Sequence, residues 1–131
     1  MDSITVRVPV VVKAKLTEKL RTRLVGELTK LAEQLELEMN QINLDRQHEL
    51  NEHPDQREEI DRFFGNEFGM RQQRRAEALG RKENLEKLAL GAEIMQGHLE
   101  RQIELKVGDN FREAMNVEVL IEDDKVVAIR G

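Results

Sequence analysis

The chain has 131 residues, of which 36% are charged, with four Phe, no Trp and no Tyr; so few bulky groups cannot fill a wide multilayer core, and a thin architecture of two paired helices plus a small sheet is expected. A net charge of −5 opposes long-range attraction to nucleic acid or an anionic membrane, so any such binding must come from a local patch. The absence of cysteine excludes disulfides, thiolate metal sites and thiol nucleophiles.

Residues 3 to 13 alternate, with Ile4, Val6, Val8, Val10 and Val12 on one side and Thr5, Arg7, Pro9 and Val11 on the other. That period of two predicts a half-buried strand, and Pro9 suits an edge or a bend. The segment is too interrupted for a signal peptide, and no stretch approaches the roughly 20 apolar residues of a spanning helix. A cytoplasmic protein with no membrane partner is expected.

Thr17 offers a helix cap, and then Leu20, Leu24, Leu28, Leu31, Leu35, Met39 and Ile42 follow at spacings of 4, 4, 3, 4, 4 and 3. That 11-residue repeat predicts a nearly straight or slightly right-handed helix pair. The stripe stops near His48, and HPDQREE reads as a fresh helix start, with Pro54 at the first position and Asp55, Glu58 and Glu59 at the positive end of the helix dipole. The second helix is expected to run to about Leu90. Two arms of similar length with a short connection imply an antiparallel hairpin, its bend near residue 52, so that position i faces about 105 − i.

Beyond Gly91 the period returns to two through Leu99, Arg101, Ile103, Leu105 and Val107. NFREAMN suits a helical turn, and residues 117 to 121 and 126 to 130 suit a hairpin around Asp123-Asp124. A lone strand is unstable, so the first strand should join the last ones. The expected fold is α+β: a long antiparallel two-helix coiled-coil hairpin (17–90) projecting from a small antiparallel β-sheet or barrel (1–16 plus 91–131).

Signatures of catalysis are missing. His48 and His53 in HELNEH are five apart where the zinc motif needs four, and neither a phosphate-binding glycine loop nor GxSxG occurs. The expectation is a protein that is not an enzyme, with no catalytic residue, metal or cofactor. Gly65, Gly69 and Gly80 within the second helix each cost about 1 kcal/mol against Ala, and imply close approach by the first helix, another molecule or a kink. Phe64 and Phe68 continue the seam from Ile60, which leaves Phe63 as a candidate protein contact.

Positive charge is concentrated in MRQQRRAEALGRK, residues 70 to 82. On the seam frame Arg71, Arg75, Leu79 and Lys82 fall inside the hairpin, their stems on the first helix and their charges turned to its acids Glu27 and Glu33. Arg74 and Arg81 lie off the seam. With Lys19, Arg21 and Arg23 they are the candidate RNA contacts.

Several segments resemble the YlqD family: Leu16-Thr17-Glu18-Lys19 after the first strand, LALGAEIMQG at 88–97, ELKVGDNF at 104–111 and DDKVVAIR at 123–130. The resemblance implies a bacterial coiled-coil protein with a β-rich base, without an established activity, and brings no site residue with it. It also tilts an RNA role toward the ribosome. Where such hairpins often carry Asp-Gly this chain has Asp123-Asp124, which suggests a turn longer than two residues. The first functional expectation is a self-associating interaction or scaffold module, a homo-oligomer with a protein partner still to be found. The alternative is an RNA- or ribosome-associated protein using the basic zone.

Overall fold

The computed structural model describes all residues, 1–131. In chain order it has β1 (Ser3–Lys15), α1 (Glu18–Glu52), a single 3-10 turn at Pro54–Gln56, α2 (Arg57–Lys87), β2 (Glu93–Lys106), α3 (Phe111–Met115), β3 (Glu118–Glu122) and β4 (Lys125–Arg130). Two compact units divide it: Met1–Arg21 with Leu88–Gly131, and Thr22–Lys87. The protein is α+β, with two long helices and one small four-stranded sheet.

The sheet order is β2-β1-β3-β4, with β1 antiparallel to β2 and β3 antiparallel to β4. Between β1 and β3 the pairing is parallel, so the sheet is mixed where an all-antiparallel one was expected. The segment from Val107 through α3 carries the chain past β1 to its other side, and the strand that follows must then run alongside β1. On the β1 face of Val8, Val10 and Ala14, exposures of 2%, 5% and 3% mark the core of this unit. Arg101 on the same face donates to the Ala114 carbonyl of α3 at 3.3 Å, so α3 lies against that face. Leu16, 1% exposed, follows the strand; its carbonyl accepts from Gly91 N–H and its N–H donates to the Ala92 carbonyl, both at 2.8 Å. Gly91 has φ +88, a conformation that side chains disfavour.

Thr17 caps α1, its hydroxyl oxygen accepting from Leu20 N–H at 3.1 Å while the hydroxyl donates to Asp123 at 2.7 Å. Glu122 pairs with Lys125, which makes Asp123-Asp124 a two-residue turn, shorter than expected. Both aspartates take positive φ, 45 and 67, the backbone of a type I′ turn. Asp tolerates that region better than most residues, and Thr17 secures the first of the pair.

In the helical unit, covered positions of α1 run Val25, Leu28, Ala32, Leu35, Met39, Ile42, Arg46 and Glu49. On α2 they run Ile60, Phe64, Phe68, Arg71, Arg75, Ala78, Lys82 and Leu85. From Val25 on α1 and from Phe64 on α2 the steps alternate threes and fours, a seven-residue repeat in place of the expected 11-residue one. Leu31 and Leu79 drop out at 39% and 37% exposure, and Ala32 and Ala78 take their places at 6% and 3%. Leucine spacing misled because alanine is also apolar and lets two backbones approach, so the seam followed geometry over side-chain size. Opposed partners sum to 107 for Arg46 with Asp61, 109 for Arg71 with Glu38, and 111 for Arg75 with Glu36. The bend therefore lies nearer residue 54 than 52, because His53 and the 3-10 turn lengthen the connection.

Gly65, Gly69 and Gly80 do not mark close approach. A Cβ at any of them would meet no neighbour within 4 Å, and α2 passes through all three unbroken.

Candidate functional site

The arginine stretch divides along the seam. Arg71 reaches across to Glu38 at 3.8 Å and down its own helix to Glu67, and Arg75 reaches Glu36 at 3.8 Å. The acids are therefore not the expected Glu27 and Glu33, a consequence of the shifted bend. The Nε atoms of both arginines are buried without a hydrogen-bond partner, so the stems are covered and the charge is delivered at the rim. Lys82 is half-buried at the same seam.

Of the five candidate RNA contacts, Arg21 pairs with Glu18 and donates to the Leu88 carbonyl. Arg23 lies 4.0 Å from Glu27. Lys19, Arg74 and Arg81 are exposed and form no ion pair. Arg74 and Arg81 flank a shallow groove of about 160 Å³ floored by Leu28, Leu31 and Ala78, with Glu77 as its one acid. The two guanidinium groups stand on stems two helical turns apart, roughly 10 Å along the axis. Lys19 and Arg21 belong to the β unit, and Arg23, Arg74 and Arg81 to the helical one.

At the bend, Phe63 is 59% exposed and meets Phe64 edge to face at 5.1 Å, while Phe64 is half-buried. A second shallow cavity, about 280 Å³, lies between Phe63, Ile60 and Glu49. Met70, seven residues beyond Phe63, is 58% exposed, and Leu37 and Leu44 on α1 are 63% and 65% exposed. These four sit outside the seam and make each helix apolar on a second side. His48 Nε2 lies 3.5 Å from a carboxylate oxygen of Glu52, and His53 lies beyond the end of α1.

The β unit carries a charge cluster that spacing along the chain does not signal. Arg130 on β4 binds Glu93 on β2 at 2.5 Å and Glu118 on β3 at 3.2 Å, and Lys13 on β1 binds Glu118 at 3.0 Å. β2 and β4 are opposite edges of the sheet, so the Arg130–Glu93 contact means that the sheet curls on this face. Hydrogen bonding from Arg130 holds the Glu93 carboxyl below its ordinary range, and hydrogen bonding from Lys13 does the same for Glu118. Arg130 is raised in turn, chiefly by Glu93. All four side chains remain partly exposed, between 28% and 41%, which suits a structural clasp.

No helix is long and apolar enough to cross a membrane. No curated protein matches the sequence. A crystal structure of a protein of unknown function from Synechococcus sp. WH 8102 has the same fold, with a TM-score of 0.86 and 19% identity over 98% of this chain and 95% of that one. The family model described as YlqD protein matches residues 4–130, nearly the entire chain, and the chain belongs to the YlqD family.

Proposed function

We propose that the chain is a non-enzymatic interaction module that self-associates through its helical arms and presents them to a protein partner in the cytoplasm. The observation that carries this reading is the second apolar side of each helix. Leu37 and Leu44, seven apart on α1, and Phe63 and Met70, seven apart on α2, are 58–65% exposed although the seam between the helices is already filled. Large apolar side chains recurring at one helical spacing outside a filled seam favour a further helix or a second copy. The test is sedimentation of the wild type against a Leu37→Gln, Leu44→Gln double variant. Assemblies larger than the 15.2 kDa chain should dissociate in the variant, and a wild type that stays monomeric at high concentration refutes the reading.

A second reading, RNA or ribosome binding, is favoured by Arg74 and Arg81, which have no acid partner and share one groove. It predicts binding that weakens steeply with salt, as phosphate contacts release counterions. With Arg21 and Arg23 already paired, three of the five candidates, Lys19, Arg74 and Arg81, are left without an acid for such contacts. Unchanged RNA retention at low salt in an Arg74→Glu, Arg81→Glu variant would exclude it.

A further inference from the structure

β2 is an outer strand along all 14 of its residues. Val107 donates its N–H to the Asp2 carbonyl on the β1 side at 2.9 Å. Backbone direction alternates along a strand, so the odd-numbered residues of 99–107 serve β1 and the even-numbered ones point outward. Lys106 is closed off, its N–H donating to the Asp109 carboxylate at 2.8 Å and its carbonyl accepting from Asp109 N–H at 3.0 Å. His98, Glu100, Gln102 and Glu104 remain, all exposed, with outward N–H and C=O groups that nothing in this chain meets.

The other edge of the same ribbon is protected. β1 pairs with β3 only over Val11–Ala14, and Val11 N–H, which donates to Val117, shows that odd-numbered β1 residues face that side. Pro9 is therefore in the outward row before the pairing begins, and it has no N–H to offer a neighbour. β2 has no such block between residues 98 and 104, since its register shift lies opposite Val12 and Lys13.

We propose that this row of β2 pairs antiparallel with the same row of a second copy, about a two-fold axis at Arg101. Avoidance of facing carboxylates and the pairing of the free backbone groups select that register. An axis at residue 100 sets Glu100 against itself, and an axis at 102 sets Glu100 against Glu104 twice. An axis at 103 sets Glu100 against Lys106, whose backbone groups are taken. The axis at Arg101 places His98 opposite Glu104 and Glu100 opposite Gln102, and pairs every free outward group of both copies. On the other face Leu99, 57% exposed, meets Ile103. The two Arg101 side chains face each other at the axis, each drawn back to the Ala114 carbonyl of its own chain.

The experiment is sedimentation velocity across a concentration series, with circular dichroism as the folding control. The wild type should form a dimer of about twice the 15.2 kDa chain mass. Gln102→Pro removes an outward N–H and no bond to β1, and should weaken the dimer about 30-fold, the loss of two hydrogen bonds per dimer. In this cysteine-free chain, Arg101→Cys should cross-link to itself on oxidation, because directly opposed residues at such a position lie about 4.5 Å apart, within disulfide reach. Cross-linking by Ile103→Cys in place of Arg101→Cys overturns the register. A folded Gln102→Pro that dimerises as tightly as the wild type overturns the interface. If Leu37→Gln with Leu44→Gln dissociates the dimer and Gln102→Pro does not, the arms hold it and this proposal fails alone. A monomeric wild type sinks both.

Discussion

Replacing Gly65, Gly69 and Gly80 together by alanine tests whether α2 is bare at those positions. Each glycine lies in the interior of a 31-residue helix, is exposed, and leaves open space where a Cβ would sit. With no contact to lose, the substitution acts through the backbone alone, removing freedom from the unfolded chain and adding a good helix former, at about 1 kcal/mol per site. A Cβ at each site meets open space and the sites share no partner, so the effects should sum to about 3 kcal/mol. In a chain of this size that corresponds to roughly 10 °C in the melting midpoint. Urea and thermal unfolding followed by helical circular dichroism at low micromolar concentration measure it. An unchanged or lowered midpoint refutes the reasoning, because it means that something outside the single chain packs against α2 where the glycines lie.

Leu35→Ala should remove about 2–5 kcal/mol, since the side chain is 1% exposed at the centre of the seam, whereas Leu37→Ala, two residues on and 63% exposed, should shift single-chain stability by less than about 0.5 kcal/mol; comparable losses in urea titrations would refute the seven-residue seam. Asp124→Gly should raise the unfolding free energy by up to about 1 kcal/mol in urea titration, because φ +67 suits glycine and the Thr17 bond goes to Asp123, leaving it intact. Thr17→Ala removes both the cap and the hydroxyl donor to Asp123, and should lower stability by about 1–2 kcal/mol. Glu93 and Glu118 have depressed folded values, so their stabilisation is present above the unfolded glutamate value and is lost as pH falls through the folded one. Acid titration of an Arg130→Met variant should therefore show a shallower loss of stability than the wild type, and identical curves would remove Arg130 as the cause.

The elements were legible where one period dominated. Alternation marked β1, and Pro54 with its following acids marked the new start after α1. Two helices of about 30 residues each could hardly be missed. The seam departs from the leucine spacing because alanine fills it as readily, and because the difference between seven- and 11-residue repeats depends on one residue per repeat, Leu31 against Ala32. The bend was misplaced by two residues, enough to assign Arg71 and Arg75 to the wrong acids. Parallel pairing of β1 with β3 had no local signature, since it depends on which side of β1 the chain passes after Val107. For the same reason the quartet of Lys13, Glu93, Glu118 and Arg130 was invisible along the sequence: four strands bring these residues together, and no fixed interval relates them.

The two units also differ in when they can form. Every partner of α1 within the helical unit lies inside Thr22–Lys87, but β1 pairs only with residues 93–106 and 118–121, some 80 to 100 positions later. At a synthesis rate of about 5–20 residues per second, a valine-rich strand waits roughly 4 to 20 s for its first neighbour. The hairpin that intervenes folds from nearby contacts and keeps the waiting short in space while it is long in time. Pro9 and Arg7 then take on a role in the growing chain as well as in the finished one, interrupting an apolar strand during the interval in which other unfolded chains could pair with it.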